Sequence, residues 1–312
     1  MIFIIALVDF LTFSVQNISN LDAFKDQLFG RVDWQQGRGA YGYSDCVFSG
    51  GMRLFSGKPD ARFEVCVSMS GTGCRTFETL RGEGFQWSEF LQQLQNDYDV
   101  HFSRLDVALD VTEKYMPSMK SICGYVAQRK YISKFRRNIY TLGSEEFVFF
   151  GSPSSDVRLR IYNKALERGY EDQHWIRFEY QLRNDAARKF IDEYQRNKNI
   201  GYCVRSCLNN YVRFLTKPHN GDRNGGRIPT VQWWDRLLAG ADKMSLFEAP
   251  GIEYNLSRLE KYLVTQVAPS LAAYFKCKGG DLDVLYKLLD VGSARMNQNQ
   301  SILVQQYQGD EI

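Results

Sequence analysis

The chain has no Cys-x-x-Cys pair. Its seven cysteines are odd in number and scattered, which argues against a disulfide framework or a zinc knuckle and fits a reducing cytoplasm, with most of them packed as small hydrophobes. It also lacks an excess of either charge. Lys and Arg number 39 against 36 Asp and Glu, a net +3, so a polyanion would have to be held by a local basic face. No apolar run is long enough to span a bilayer. The opening "MIFIIALVDFLTFSV" comes nearest, but Asp9 interrupts it, no basic segment precedes it and no small-residue cleavage site follows. It reads as an aromatic-rich strand of a soluble protein without a membrane partner. No fixed-period repeat is present. The glycine-rich "SGTGCR" has neither the lysine nor the spacing of a phosphate-binding P-loop, which argues against ATP there.

What is present is globular: 44% hydrophobic and 24% charged residues over 312 positions, enough for one large domain or two ordinary ones. Alternation predicts strands over residues 2–15, 42–48, 52–55, 62–70, 101–111, 138–142, 146–150, 157–163 and 176–183. Helices are expected over 86–98, 117–131 and 185–197. Beyond about residue 200 the apolar spacing becomes helical in "VQWWDRLLAG", "NLSRLEKYLVTQVAPSLAAYF" and "DLDVLYKLLDVGSARM", the second with a capping box from Ser257 to Glu260. The segment "TKPHNGDRNGGRIP" reads as a linker or exposed loop. The expected architecture is α+β: an antiparallel sheet domain with flanking helices over residues 1–200, then a smaller helical domain over 201–312.

Three strands have an unusual polar face. The period of two puts Arg104, Asp106, Ala108 and Asp110 on one side of "SRLDVALD", against Leu105, Val107 and Leu109. In "IRFEYQLR" it aligns Arg177, Glu179, Gln181 and Arg183, and in "VRLRIYNK" Arg158, Arg160, Tyr162 and Lys164. Were the three in one sheet, Asp106, Asp110 and Glu179 would supply hard oxygens of the kind Mg²⁺ or Mn²⁺ prefers, and Arg158, Arg160, Lys164 and Arg177 would surround the phenol of Tyr162. Such a set suits phosphodiester chemistry, with a metal polarising the phosphate, cations neutralising charge and a side-chain oxygen attacking. A phenol is a weak attacker at neutral pH, and nearby cations would favour its ionised form. A phosphotyrosine link conserves the energy of the broken backbone bond, so the strand can be rejoined without ATP. Periodicity alone leaves this reading open against a solvated sheet face laced with cross-strand ion pairs.

On these residues the chain resembles the rolling-circle replication initiators of the Rep_trans type, known from plasmids, filamentous phages and a class of conjugative relaxases. "VDFLTFSV", "VSMSGTGCR", "SRLDVALDV", "FFGSPSSDVRLRIYNKALERG" and "WIRFEYQLR" carry the likeness over about residues 7–190, and "YLVTQVAPSLAAYF" is similar to the helical end of phage members. The resemblance implies that Tyr162 nicks one strand of origin DNA and stays on its 5′-phosphate, with Asp106, Asp110 and Glu179 as metal ligands and Glu167 a weaker candidate. It also implies that Arg160 and Lys164 contact phosphate, and that Arg104, Arg158, Arg177, Ser152 and Ser154 meet the DNA. The other large group of rolling-circle nucleases uses paired histidines, whereas His101, His174 and His219 are all isolated. Pro153 stands where plasmid members usually have a basic residue, which puts the phosphate contacts of that loop in question.

The implied partners are double-stranded and single-stranded origin DNA, a host helicase and a second copy of the chain, in the cytoplasm of a bacterial host. Two alternatives share the resemblance. One is a non-catalytic origin-binding protein that recruits a helicase. The other is a conjugative relaxase, for which an extra N-terminal DNA-binding domain is expected and which the start of this chain, close to the catalytic fold, makes second choice. Of the lesser features, Trp233 and Trp234 read as a core anchor or a base-stacking pair, "SKFRRN" as a basic turn or backbone contact, and Cys74 as packed.

Overall fold

In the computed structural model, residues 4–60, 63–113, 115–141, 146–170, 173–219, 225–246, 259–260, 263–296 and 304 are described. By packing, the chain divides into two units, Met1–Leu246 and Phe247–Ile312. The helix over Ile200–Tyr211 thus belongs to the same unit as the sheet.

The first unit is built on strands β1 (Ile4–Val15), β2 (Gln35–Arg38), β3 (Asp45–Ser49), β4 (Met52–Ser56), β5 (Val65–Met69), β6 (Val100–Val111), β7 (Tyr131–Ser133), β8 (Asn138–Thr141), β9 (Phe147–Phe150), β10 (Val157–Asn163), β11 (Ile176–Arg183) and β12 (Val212–Phe214). Ten of them form one antiparallel sheet in the order β2-β3-β4-β5-β1-β6-β11-β10-β9-β8, and β7 and β12 pair separately. The α+β expectation holds. β10 and β11 coincide with the runs expected from alternation, whereas β2, β7 and β12 carried too short a pattern to be seen. The predicted helix over 117–131 is shorter, Met119–Ala127 (α4): Arg129 takes a left-handed φ of 54° and the chain turns into β7, which pairs with β12.

The apolar rows behave as the pattern requires. Leu105, Val107, Leu109, Leu159, Ile161, Phe178, Tyr180 and Leu182 are all at or below 1% exposed. Helices α6 (Asn184–Asn197) and α7 (Ile200–Tyr211) pack against β6, α6 contributing Ala187, Phe190 and Ile191 to the core. Trp233 and Trp234, on α8 (Gln232–Leu238), are core residues: Trp234 is fully buried between Phe178 and Phe214, so the anchor reading stands.

Besides the four-residue turn Lys164–Glu167, three longer helices escaped the sequence reading. α1 (Leu21–Phe29), α2 (Gly71–Arg81) and α7 each begin at a residue whose side chain caps a backbone N–H: Asn20, Ser70 and Asn199. "SGTGC" is therefore a helix start. Of the segment "TKPHNGDRNGGRIP", residues 220–224 lie outside the described residues and Gly225–Arg227 forms a 3₁₀ turn; at its ends Leu215 bridges Thr230 and Thr216 N donates to Pro229 O at 3.1 Å. Six of the seven cysteines are buried, Cys74 among them. Among its described residues the second unit contains helices α9 (Ala268–Cys277) and α10 (Leu282–Ser293), the former preceded by a π-helical turn over Leu263–Val267. The capping box lies partly outside the described residues, at Ser257. Among the described residues no helix is long and apolar enough to cross a membrane.

Candidate active site

β6, β11 and β10 are consecutive in the sheet, and their register brings the three polar faces together. Arg177 stands opposite Asp110, Glu179 opposite Ala108, and Gln181 opposite Asp106. Across the next ladder Arg160 faces Glu179 and Tyr162 faces Arg177. Glu179 is thereby a diagonal neighbour of both aspartates, over the small side chain of Ala108.

The floor is not a solvated face. Asp106, Asp110, Arg177 and Glu179 are each 3–5% exposed, Lys164 is 5% and Tyr162 is 8%. Buried charge is stable only when paired, and each acid is. Asp110 accepts from Arg177 Nε at 2.6 Å and Nη2 at 2.7 Å. Asp106 accepts from Arg104 Nε at 2.9 Å and Nη2 at 2.6 Å. Tyr162 Oη donates to Glu179 Oε2 at 2.8 Å, while Arg160 Nη1 donates to Oε1 at 3.1 Å.

The cations around the phenol are stacked as well as paired. Arg160 lies 4.9 Å from the centre of the Tyr162 ring, and the Lys164 ammonium lies 5.6 Å from it while pairing with Glu167. Arg158 sits 4.2 Å from the Phe149 ring, and no ion pair to an acid is recorded for it among the described residues. Burial first, then the nearby charges of Arg160 and Arg183, lower its proton affinity. That is a place short of negative charge.

The expectation that cations ionise the phenol is not met in the free protein. Burial raises the Tyr162 pKa and the adjacent Glu179 raises it further, with Arg177 opposing them. The hydroxyl is a neutral donor whose proton already points at a carboxylate. Asp106 is pushed up to about 6 by burial; Arg104 works against this, and the charges of Glu179 and Asp9 add to it.

Asp9 went unassigned in the sequence. It falls at a register break in β1, between Val8 and Phe10, and its Oδ2 lies 2.9 Å from Arg177 Nη1. The signal was there: it is the one charged residue in an otherwise apolar strand. Ser152 and Ser154 lie elsewhere. They belong to a hydroxyl cluster with Ser155 in the turn before β10, at the end of that strand away from Tyr162, where Arg183 Nη1 donates to Pro153 O at 2.8 Å. Arg177 is sealed beneath the floor by its acids, whereas the Arg160 side chain is 37% exposed and Arg104 33%.

In donor chemistry the floor fits a hard divalent cation, since its acids are carboxylates. In arrangement, no three His, Cys, Asp or Glu side chains among the described residues are grouped to hold an ion. Each acid is engaged by a guanidinium or a phenol, so an ion would have to exchange with these partners.

The profile described as "Replication initiation factor" (Rep_trans) matches residues 100–289, and that of the rolling circle replication initiation protein N-terminal domain matches residues 6–93. The putative DNA relaxase NicK of Bacillus subtilis is 26% identical over 250 residues, 75% of this chain and 69% of the relative. The rolling circle replication initiator protein of Geobacillus stearothermophilus has the same fold, with a TM-score of 0.68 at 24% identity over 79% of this chain and 100% of that one. With the first profile spanning more than half of its length and the second covering the sheet's other half, the chain belongs to the Rep_trans family of rolling-circle replication initiators and relaxases.

Proposed function

We propose that the protein nicks one strand of its origin DNA through Tyr162 and later rejoins it. The observation that carries the reading is the phenol hydrogen-bonded at 2.8 Å to Glu179, with Arg160 bridging the same carboxylate and Arg158 beside it lacking an acid. A phosphate arriving over β10 meets Arg158 and Arg160, both able to neutralise its charge. As Tyr162 Oη attacks phosphorus, its proton passes to Glu179 Oε2. The O–P bond to tyrosine forms, the bond from phosphorus to the 3′ oxygen breaks, and that oxygen takes a proton from water to become a free 3′-OH. Reversal rejoins the strand.

Asp106, Asp110 and Glu179 are the proposed holders of Mg²⁺ or Mn²⁺, which when bound would supply further positive charge to the phosphate. Asp106 and Glu179 are the candidates to exchange their partners, because Arg104 and Arg160 are each about one-third exposed. Arg177, tied to Asp110 and Asp9, positions Tyr162 from the neighbouring strand instead of touching DNA. The sheet unit carries nicking and origin binding. A host helicase and a second copy of the chain, which would lend a tyrosine for the closing transfer, are the proposed partners in the bacterial cytoplasm. Conjugative transfer by the same chemistry is the second reading, favoured by the likeness to a relaxase.

The test is incubation with Mg²⁺ or Mn²⁺ and a supercoiled plasmid carrying the DNA that flanks the gene. Wild type is expected to relax it and to remain covalently attached; Tyr162→Phe is expected to do neither. A phenylalanine variant that nicks as well as wild type would remove the tyrosine from the mechanism.

A further inference from the structure

On the side of the floor away from Tyr162, β1 and β6 run on into an open cleft of about 480 Å³. Its base is polar, with Thr12 opposite Arg104 and Ser14 opposite His101 across the β1–β6 ladder. Its walls are aromatic, formed by Phe10, Tyr41 and Tyr43. Arg104 is common to cleft and floor: it grips Asp106 while its guanidinium lies 4.1 Å from the Phe10 ring centre.

Tyr41 is the unusual member. It belongs to the glycine-rich "GRGAYGY" segment, adopts a left-handed φ of 56° and is 70% exposed, its ring in edge contact with Phe55 at 5.4 Å between centres. A left-handed non-glycine backbone with a large exposed ring is costly and persists only where the surroundings enforce it. Here they do: a Cβ on Gly39 would sit 2.3 Å from the Tyr43 carbonyl oxygen, so the segment closes tightly only with glycine there. Behind it, buried Glu64 accepts from Tyr43 Oη, Lys58 and Gln16, which holds the second ring and a cation in place and leaves the carboxylate fully engaged.

An aromatic wall with one ring open to solvent, hydroxyls at its base and cations at either end is what unpaired nucleotides bind, with a base stacking on the exposed ring and phosphates meeting the cations. Resting on the nicking reading above, we infer that this cleft holds the single-stranded DNA flanking the scissile phosphate, with a base stacked on Tyr41. From Ala108, opposite Glu179, to Ser103 in the cleft is five residues of strand, about 17 Å, a span of a few nucleotides.

The test uses the full chain in EDTA, so that binding is read without cleavage, and a fluorescein-labelled (dT)₁₂ oligonucleotide. Stacking on one ring predicts that Tyr41→Ala weakens binding about 5- to 100-fold, while Tyr41→Phe stays within about 2-fold of wild type. Because Tyr41 is exposed, its thermal unfolding should match wild type. An oligonucleotide carrying 5-iodouracil should crosslink on irradiation to Tyr41, Tyr43 or Phe10. Tyr41→Ala binding as tightly as wild type, or crosslinks confined to other segments, would overturn the cleft and leave the nicking reading untouched. Conversely, wild type that binds (dT)₁₂ through Tyr41 but forms no covalent adduct with the plasmid would keep the cleft and sink the nicking reading.

Discussion

A buried phenol beside a buried carboxylate sets the chemistry of single residues here. Since burial and Glu179 hold the proton on Tyr162, the proposed attack needs that proton removed in the same step, and Glu179 Oε2, which already accepts a hydrogen bond from the phenol, is the proposed acceptor. Glu179→Gln should therefore slow nicking by about 10²- to 10⁴-fold while leaving oligonucleotide binding nearly intact; an activity loss explained wholly by weaker binding would rule the base out. Asp106 has a different signature. Its folded pKa, raised to about 6 from the ordinary value of 3.8, means that between those values the folded chain binds more protons than the unfolded one. Its contribution to stability thus falls as pH rises through that window, and the penalty is complete above it. Denaturant melts of wild type and Asp106→Asn from about pH 4 to 7 should show this downward slope in wild type and its loss in the variant. Equal slopes would mean Asp106 is fully ionised throughout.

Elements decide how these residues meet. Alternation was enough to place Asp106, Asp110, Glu179 and Tyr162 on polar faces, because a strand buried on its other face cannot slip by one residue without turning its apolar row outward. The pairing of Asp110 with Arg177, and of Tyr162 with Glu179, depends on the register between strands 67 and 17 residues apart, which no single segment encodes. The same holds for α2. Its glycines look like breaks, yet Gly73 is helical because the β3–β4 turn rests on it: an added Cβ would lie 2.3 Å from Gly51 O. Gly73→Ala, which ordinarily stabilises a helix by about 1 kcal/mol, is here expected to destabilise by about 1–3 kcal/mol through overpacking against backbone. A higher melting temperature would show that the turn yields. Ser70→Ala, losing the cap to Gly73 N, should cost about 1 kcal/mol in the same assay.

At the scale of the molecule, the sheet unit ends at Leu246, whose backbone N–H donates to the buried Tyr211 hydroxyl at 2.8 Å. A chain stopped after Leu246 is expected to unfold cooperatively with a melting temperature within a few degrees of the full chain. A broad or much lower transition would mean that the second unit supports the first. Legible in the sequence alone was what is local and periodic: where the longer strands run, which faces are charged, which chemistry those side chains could perform, and a family signature strung along the chain. What only the tertiary structure decided was long-range. It sealed the charged floor, tied each acid to a cation or phenol, raised the phenol's proton affinity where cations alone would have lowered it, brought Asp9 against Arg177, and set the aromatic cleft beside Arg104. The reason is physical: side-chain period and backbone preference act over a few residues, whereas desolvation and ion pairing depend on which distant strands become neighbours and how much water they exclude.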